Sequence, residues 1–366
     1  MSTHTAIASN IDHAAQQPSG KSYHFAAVVQ ASSHESDPSN WSAAIARFKR
    51  SDRLKSMWQL CNSLLPFCGL WYLMYLSLSW SYWITLVLAV PTAGLLVRLF
   101  IIQHDCGHHS FFRSRRANDA VGSFFGLFTL TPYRLWLRSH SRHHASSGDL
   151  HHRGHGDVWI LTVDEYLKRS FLGRLQYRIY RHPLFLFGVG PSLLFLFRQR
   201  FTFGVPTTWR RERSSVHITN LGILAALVAA WCTIGLATFL LVHLPILVLA
   251  ASIGSWLFFV QHQFEHAYWQ PHDRWDYVRS AFEGSSYYRL PRVLQWFTGN
   301  IGFHHIHHLE SRIPNYNLPL CYAAVPEFRQ AVTLGMWESL KCTRFKLWDE
   351  QLQRMVTFNE VNSGRT

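Results

Sequence analysis

The sequence predicts an all-α integral membrane protein with four transmembrane helices in two hairpins. Three observations carry this. Aromatic residues make up 15% of the 366-residue chain, with 15 Trp and 26 Phe, while charged residues are only 15%, below the roughly 25% of an ordinary soluble chain. The apolar residues gather into runs near the ~20 residues a bilayer crossing needs. The formal net charge of +14 comes from polar stretches that flank those runs, as in cytoplasmic loops under the positive-inside rule. Nucleic acid would also attract such charge, but the flanking pattern points to a membrane, so no nucleic-acid partner is expected.

Residues 1–40 are polar and aperiodic and read as a disordered N-terminal segment without a cleavable signal peptide. Trp41 to Lys55 is basic and amphipathic, a candidate surface helix leading in. The first span is expected over about 57–78 and the second over about 83–103, with Trp80, Tyr82 and Trp83 at the interface between them. The turn is so short that the two must be antiparallel. The second span therefore delivers His104 to the side from which the first departed.

Residues 104–183 carry many arginines, among them Arg113, Arg115, Arg116, Arg134, Arg138 and Arg142, and read as cytoplasmic. Val121 to Leu130 is apolar but too short to cross, so it is expected to be re-entrant or interfacial. Pro183 to Phe197 is interrupted by Gly188, Gly190 and Pro191 and is basic on both flanks, which suits a half-span. The second hairpin is expected over about 218–241 and 246–262, turning at His243-Leu244-Pro245. Ser285 to Phe297 is aromatic and basic, a further interfacial helix, and helical patterning returns over Val325 to Leu340. This gives a membrane domain over 41–320, a cytoplasmic helical cap and a cytoplasmic C-terminal tail over 321–366. The six cysteines form no CxxC pair, so neither a disulfide framework nor a zinc finger is indicated.

Three histidine clusters organise the rest. His104 and His108 stand at i and i+4; His140, His143 and His144, and His304, His307 and His308, stand at i, i+3 and i+4. On a helix these spacings share a face. His262 ends the fourth span. With two hairpins all of them lie on one side of the membrane. A crossing by the 183–197 segment would put the second and third clusters on opposite sides. Imidazole suits iron, zinc, copper or nickel, and a lone tetrahedral zinc takes only three or four ligands. Nine histidines therefore argue for two metals of higher coordination. Asp105, Asp149, Asp157, Glu265 and Glu310 are candidates to orient ligand rings through the second nitrogen, with capping or surface ion pairing the competing role for each.

The stretches HDCGHHSFF (104–112), HSRHHASSGDL (140–150), GHGDVWILTVDEY (154–166), VQHQFEHAYW (260–269) and NIGFHHIHHLESRIPNYNL (300–318) resemble the membrane fatty acid desaturase family. Within it they are most similar to acyl-lipid desaturases related to the Δ12 (omega-6) type, over roughly residues 60–320. The resemblance implies two non-haem Fe ions, O2 as co-substrate, and a cis double bond introduced into a membrane lipid acyl chain. It implies His104, His108, His140, His143, His144, His262, His304, His307 and His308 as metal ligands, with His266 the runner-up to His262. His109 and His305 fall off the box pattern, and His151, His152 and His155 are expected to be solvated. No acid–base catalytic residue is implied. No fused haem or flavin segment is visible, so a separate ferredoxin- or cytochrome b5-type electron donor is expected. The protein is expected to be multi-pass, with active site and both termini cytoplasmic. A hydroxylase or ketolase on the same core is the nearest alternative. A metal transporter would set its site near the midplane of the bilayer, and a zinc hydrolase would want fewer ligands and a carboxylate base.

Overall fold

The computed structural model describes residues 44–154 and 156–364. The expected disordered segment 1–40 and His155 lie outside the described residues. The chain runs through α1 (Arg53–Ser77), α2 (Tyr82–Gly107), α3 (Arg115–Phe128), α4 (Tyr133–Ser146), β1 (Leu161–Thr162), α5 (Val163–Leu167) and α6 (Phe171–Tyr180). A π-helical turn at Phe185–Val189 leads into α7 (Gly190–Leu196), followed by α8 (Arg210–Thr233), α9 (Leu236–His262) and α10 (Tyr277–Glu283). The remainder is β2 (Tyr287–Tyr288), α11 (Arg292–Phe297), α12 (His304–Leu309), α13 (Leu318–Ala324), β3 (Thr333–Leu334), α14 (Met336–Cys342), β4 (Leu347–Asp349), β5 (Arg354–Val356) and α15 (Phe358–Asn362).

Four helices, α1, α2, α8 and α9, are long and apolar enough to cross a membrane, with 24 to 27 residues each. At 1.5 Å per residue they reach about 36–40 Å, more than the ~30 Å hydrocarbon core. Their outward faces leave large apolar groups uncovered: Trp58, Leu65, Val87, Leu221 and Trp231 are each about two-thirds exposed. Such surface is stable against lipid and not against water. α2 is the pivot, packing on α1, α3 and α9. It is fully buried from Leu95 to Gly107 apart from Phe100, which fixes the end that carries His104.

Asp52 caps α1, its carboxylate accepting the N–H groups of Leu54 and Lys55 at 2.8 and 3.1 Å. Of the expected surface helix from Trp41 to Lys55, residues 41–43 lie outside the described residues, 44–46 are helical, and the rest is interrupted before the cap. Arg47–Lys49 is a 3-10 turn and Arg50 is extended, so the chain breaks before α1 begins. The second pair of long helices also differs in its boundary. The turn falls at Gly235, whose φ of +82° suits glycine, and its N–H returns to the Ala230 carbonyl at 2.9 Å. Pro245, expected in the turn, lies inside α9. Proline lacks the N–H that would reach the carbonyl four residues back. The Tyr82 hydroxyl donates to that carbonyl, on Leu241, at 3.3 Å, so the helix continues.

The 183–197 segment forms the second arm of a bent pair, with α6 and Phe185–Arg200 meeting at 61°. Ser255 of α9 donates to the Leu186 carbonyl at 2.8 Å and anchors this arm. Two small sheets correct the all-α expectation. β1 runs parallel to β4 (Leu161↔Leu347), β4 antiparallel to β5 (Trp348↔Met355), and β2 parallel to β3 (Tyr287↔Thr333). Only the second half of the expected helix 285–297 is helical, because Tyr287 and Tyr288 pair as a strand and Pro291 opens α11. The helix expected over 325–340 is a 3-10 turn, β3 and α14 in succession. Trp348 and Met355 from this region join Phe259, Val260 and Ile301 in one apolar cluster beneath the histidines.

Candidate metal centre

Four pieces of backbone bring the histidines together. His104 and His108 close α2, His140, His143 and His144 lie on α4, His262 ends α9, and α12 contributes His304, His307 and His308. All nine of the expected ligands converge, and they sort into two groups. His104, His108, His140, His144 and His307 form one; His143, His262, His304 and His308 form the other. Within each group one ligand atom per residue lies within 4.8 Å of every other. The shared face expected from the i, i+3, i+4 spacing is thus divided. On α4 the i and i+4 pair enters the first group and the i+3 ring crosses to the second. On α12 the assignment is reversed. The stacked rings of His144 and His308, 4.2 Å apart, form part of the boundary between groups.

The second group carries the clearest chemical signature. His143 presents Nδ1 to Asp157 Oδ1 at 2.6 Å, and His262 presents Nδ1 to the Gly284 carbonyl at 3.2 Å. Carboxylate and carbonyl oxygens only accept, so both Nδ1 atoms carry the proton and donate. Both Nε2 atoms are then bare lone pairs, yet they face each other at 3.1 Å. His304 Nε2 lies 2.9 Å from His262 Nε2. In the first group Nε2 of His144 stands 3.1 Å from that of His140 and 3.0 Å from that of His307. Two nitrogens bound to one metal at about 2.1 Å and a right angle lie about 3.0 Å apart. Buried Nε2 atoms of His108 and His308 lack any hydrogen-bond partner among the described residues. The donor set fits metal ions. Burial, and secondarily the neighbouring histidines, push the pKa values of His108, His140, His144, His304, His307 and His308 well below the ordinary imidazole value. That direction favours the neutral form of these six rings, the form that binds metal.

Supporting contacts hold the rings from behind. Asp105 Oδ1 lies 3.2 Å from His104 Nδ1, and its Oδ2 accepts the Asn315 backbone and side-chain N–H groups at 2.7 and 2.8 Å. Gln59 of α1 in turn donates to Asn315 at 2.9 Å. Tyr277 donates to the His308 carbonyl at 2.6 Å. Of the five candidate orienting carboxylates, Asp105 and Asp157 meet expected ligands. Asp149 meets His152 and His272 instead. Glu265 pairs with Arg354, and Glu310 with Lys49 and Arg312. His266 is exposed while His262 lies in the second group. His109 sits at φ +53° outside both groups. His305 is also outside them, walled by Phe282, Tyr287, Tyr322 and Phe328, and burial pushes its pKa down to about 3. His151 is exposed as expected; His152 is exposed but paired with Asp149. The roles of Asn315, Gln59, Gly284 and Tyr277 were not foreseen, since they act across more than 20 residues of sequence.

Comparison with known proteins agrees with this chemistry. The fatty acid desaturase family model matches residues 79–339. A "Fatty acid desaturase" of Bacillus subtilis (strain 168) is 46% identical over 318 residues, 87% of this chain and 90% of the relative. The "sn-1 oleoyl-lipid 12-desaturase" of Synechocystis sp. is 26% identical, covering 79% of this chain and 85% of the relative. The "Delta(12)-fatty-acid desaturase" of Arabidopsis thaliana is 28% identical, covering 61% of each chain. A chain that matches the family across most of its length, and is nearly half identical to one of its members, is itself a fatty acid desaturase, an enzyme of that family.

Proposed function

We propose that this desaturase is a multi-pass membrane enzyme that introduces a cis double bond, at a Δ12-like position, into the acyl chain of a membrane lipid. Two non-haem iron ions are held by the two histidine groups, five rings on one and four on the other. The observation behind this reading is the facing of the bare Nε2 lone pairs of His143 and His262 at 3.1 Å, which repel unless a cation lies between them. The five rings of the first group exceed the four ligands that structural zinc uses. Irons held there would supply O2 activation, with O2, one hydrogen from each of two adjacent methylenes, two electrons and two protons giving the double bond and two waters. The two electrons come from a separate ferredoxin- or cytochrome b5-type donor. The chain's own residues hold the rings in one tautomer through Asp157 and Gly284, keep the site dry by burial, and fix the acyl chain in one register.

The Δ12-like position is inferred from what two relatives are called, the 12-desaturases of Synechocystis and Arabidopsis. Sidedness follows from parity. The 140–144 and 304–308 histidines share both groups, so the chain between them crosses an even number of times. α8 and α9 account for two crossings, and the bent 171–200 pair then turns back without crossing. The basic loops beside the histidines support a cytoplasmic side for this face and for both termini.

Expression of the parent and of His143→Ala in a host that supplies reduced ferredoxin, followed by fatty-acid profiling of its membranes, tests the reading. A new cis bond with the parent and none with the variant is the expected result. Hydroxylated chains would overturn desaturation. Unchanged product with His143→Ala would overturn the site.

A further inference from the structure

Outside the nine converging histidines, Asp149, His152 and His272 each offer a ligand atom within 4.8 Å of the others. Asp149 is 2% exposed, and both its oxygens are engaged. Oδ1 accepts the His151 backbone N–H at 2.9 Å. Oδ2 faces Nδ1 of His152 and Nδ1 of His272, each at 2.7 Å. The two imidazole side chains are 53% and 61% exposed, with ring centres 4.6 Å apart. A buried carboxylate thus stands behind two solvent-facing rings.

Backbone builds this frame, and no ion is needed to assemble it. The Gln270 N–H donates to the Gly148 carbonyl and the Leu150 N–H to the Gln270 carbonyl, both at 2.9 Å, in a parallel bridge opposite Asp149. Gly148 has φ +77°, and a Cβ there would meet the Tyr268 carbonyl at 2.8 Å. The Trp275 indole and the Ser280 hydroxyl both donate to the Ser147 carbonyl, at 2.8 and 2.5 Å. Burial raises the Asp149 pKa, but hydrogen bonds from His152, His272 and the His151 N–H outweigh it and hold the carboxyl below its ordinary value.

We propose that Asp149, His152 and His272 form a third metal site, facing solvent, for a borderline divalent ion of the zinc class, with water in the remaining positions. One carboxylate and two imidazoles are a ligand set for zinc-like ions. Tetrahedral bonds of about 2.0–2.1 Å set ligand atoms about 3.3 Å apart. Each exposed ring therefore has to move outward by only about 0.6 Å. The bound ion joins the segment that leaves α4 to the segment that leaves α9, the helices carrying His143 and His262. It acts as a clip across one wall of the second histidine group and leaves that group's own ligands untouched.

Equilibrium dialysis of the detergent-solubilised enzyme against Zn2+, with zinc and the resident metal both counted, tests this. The parent should hold one zinc per chain more than the His152→Ala/His272→Ala double variant, with equal resident metal in the two. Zinc should also raise the unfolding midpoint of the parent and not of the variant. Equal zinc counts in parent and variant overturn the proposal. If the double variant loses resident metal, the two single variants decide by the same count, with at least tenfold weaker zinc binding expected for each and parent-like binding overturning the site.

Discussion

Replacing Asp157 by Asn keeps the shape of the side chain and removes one of its two acceptors. Asp157 Oδ1 takes the His143 Nδ1 proton at 2.6 Å and Oδ2 takes the Gly154 N–H at 3.2 Å. The His143 side chain is 2% exposed and that of Asp157 8%, so water does not substitute. Asparagine has a single acceptor oxygen. If that oxygen turns to His143, the amide N–H2 confronts the Gly154 N–H at the exposed edge of the contact, and the charged acceptor of the His143 proton is replaced by a neutral one. If it turns the other way, the amide donates to Nδ1, and the His143 proton must sit on Nε2, the atom that faces His262. The ring then cannot bind metal through Nε2. Loss of such a supporting partner lowers metal affinity about 10–100-fold, or about 1.4–2.8 kcal/mol. A chelator titration of purified parent and variant, following metal release, should show the variant releasing at 10–100-fold lower chelator activity, with activity falling in step. Asp164→Asn, which breaks an exposed pair with Lys168, is the control and should not move. Parent-like retention by Asp157→Asn would refute the tautomer argument.

Three further outcomes are expected. Gly302→Ala puts a Cβ against the Tyr288 backbone carbonyl, two residues before His304; overpacking of this kind costs about 1–3 kcal/mol, and the purified variant should show a lower unfolding midpoint and reduced metal content. His262→Ala should abolish product formation in the membrane fatty-acid profile while His266→Ala, exposed and outside both groups, leaves it intact. Lys346, whose ammonium donates to the Arg181 carbonyl at 2.8 Å, is pushed down to about 8 by burial and then by Arg181. Between pH 8 and the ordinary lysine value of about 10.4 the unfolded chain binds the extra proton, so stability from this group rises with pH across that window. Thermal unfolding of Lys346→Met over the same range should lack that rise; identical pH slopes for the two would count against the burial.

The long helices and the histidine boxes were legible because both signals are local. Twenty or more apolar residues announce a span, and i to i+4 histidines announce a shared helical face. The partition of those rings between two groups was not legible, because it depends on how α4 and α12 approach each other, which no spacing within either one records. Asp105 and Asp157 were readable as candidate orienting groups from their places beside the boxes. Glu265 and Glu310 looked equivalent until Arg354, Lys49 and Arg312 took them. The pairing of Asp149 with His272 spans 123 residues and had no sequence signature. Pro245 was read as a turn because proline usually ends helices, and only the Tyr82 hydroxyl, from another helix, shows why this one continues. Strands of two or three residues carry no period to detect, so the tail looked helical.

The crossed allegiance of α4 and α12 has a consequence for how the centre fills and empties. α4 lends two rings to the first group and one to the second; α12 lends one and two. Each is a short rigid rod, and α12 spans only His304–Leu309. Neither can shift to release an ion from one group without dragging a ring of the other. On the proposed two-ion reading, uptake and release at the two groups are therefore coupled, and loss of one histidine weakens both positions. A population of this enzyme stripped halfway of its metal should therefore be a mixture of fully loaded and fully vacant chains.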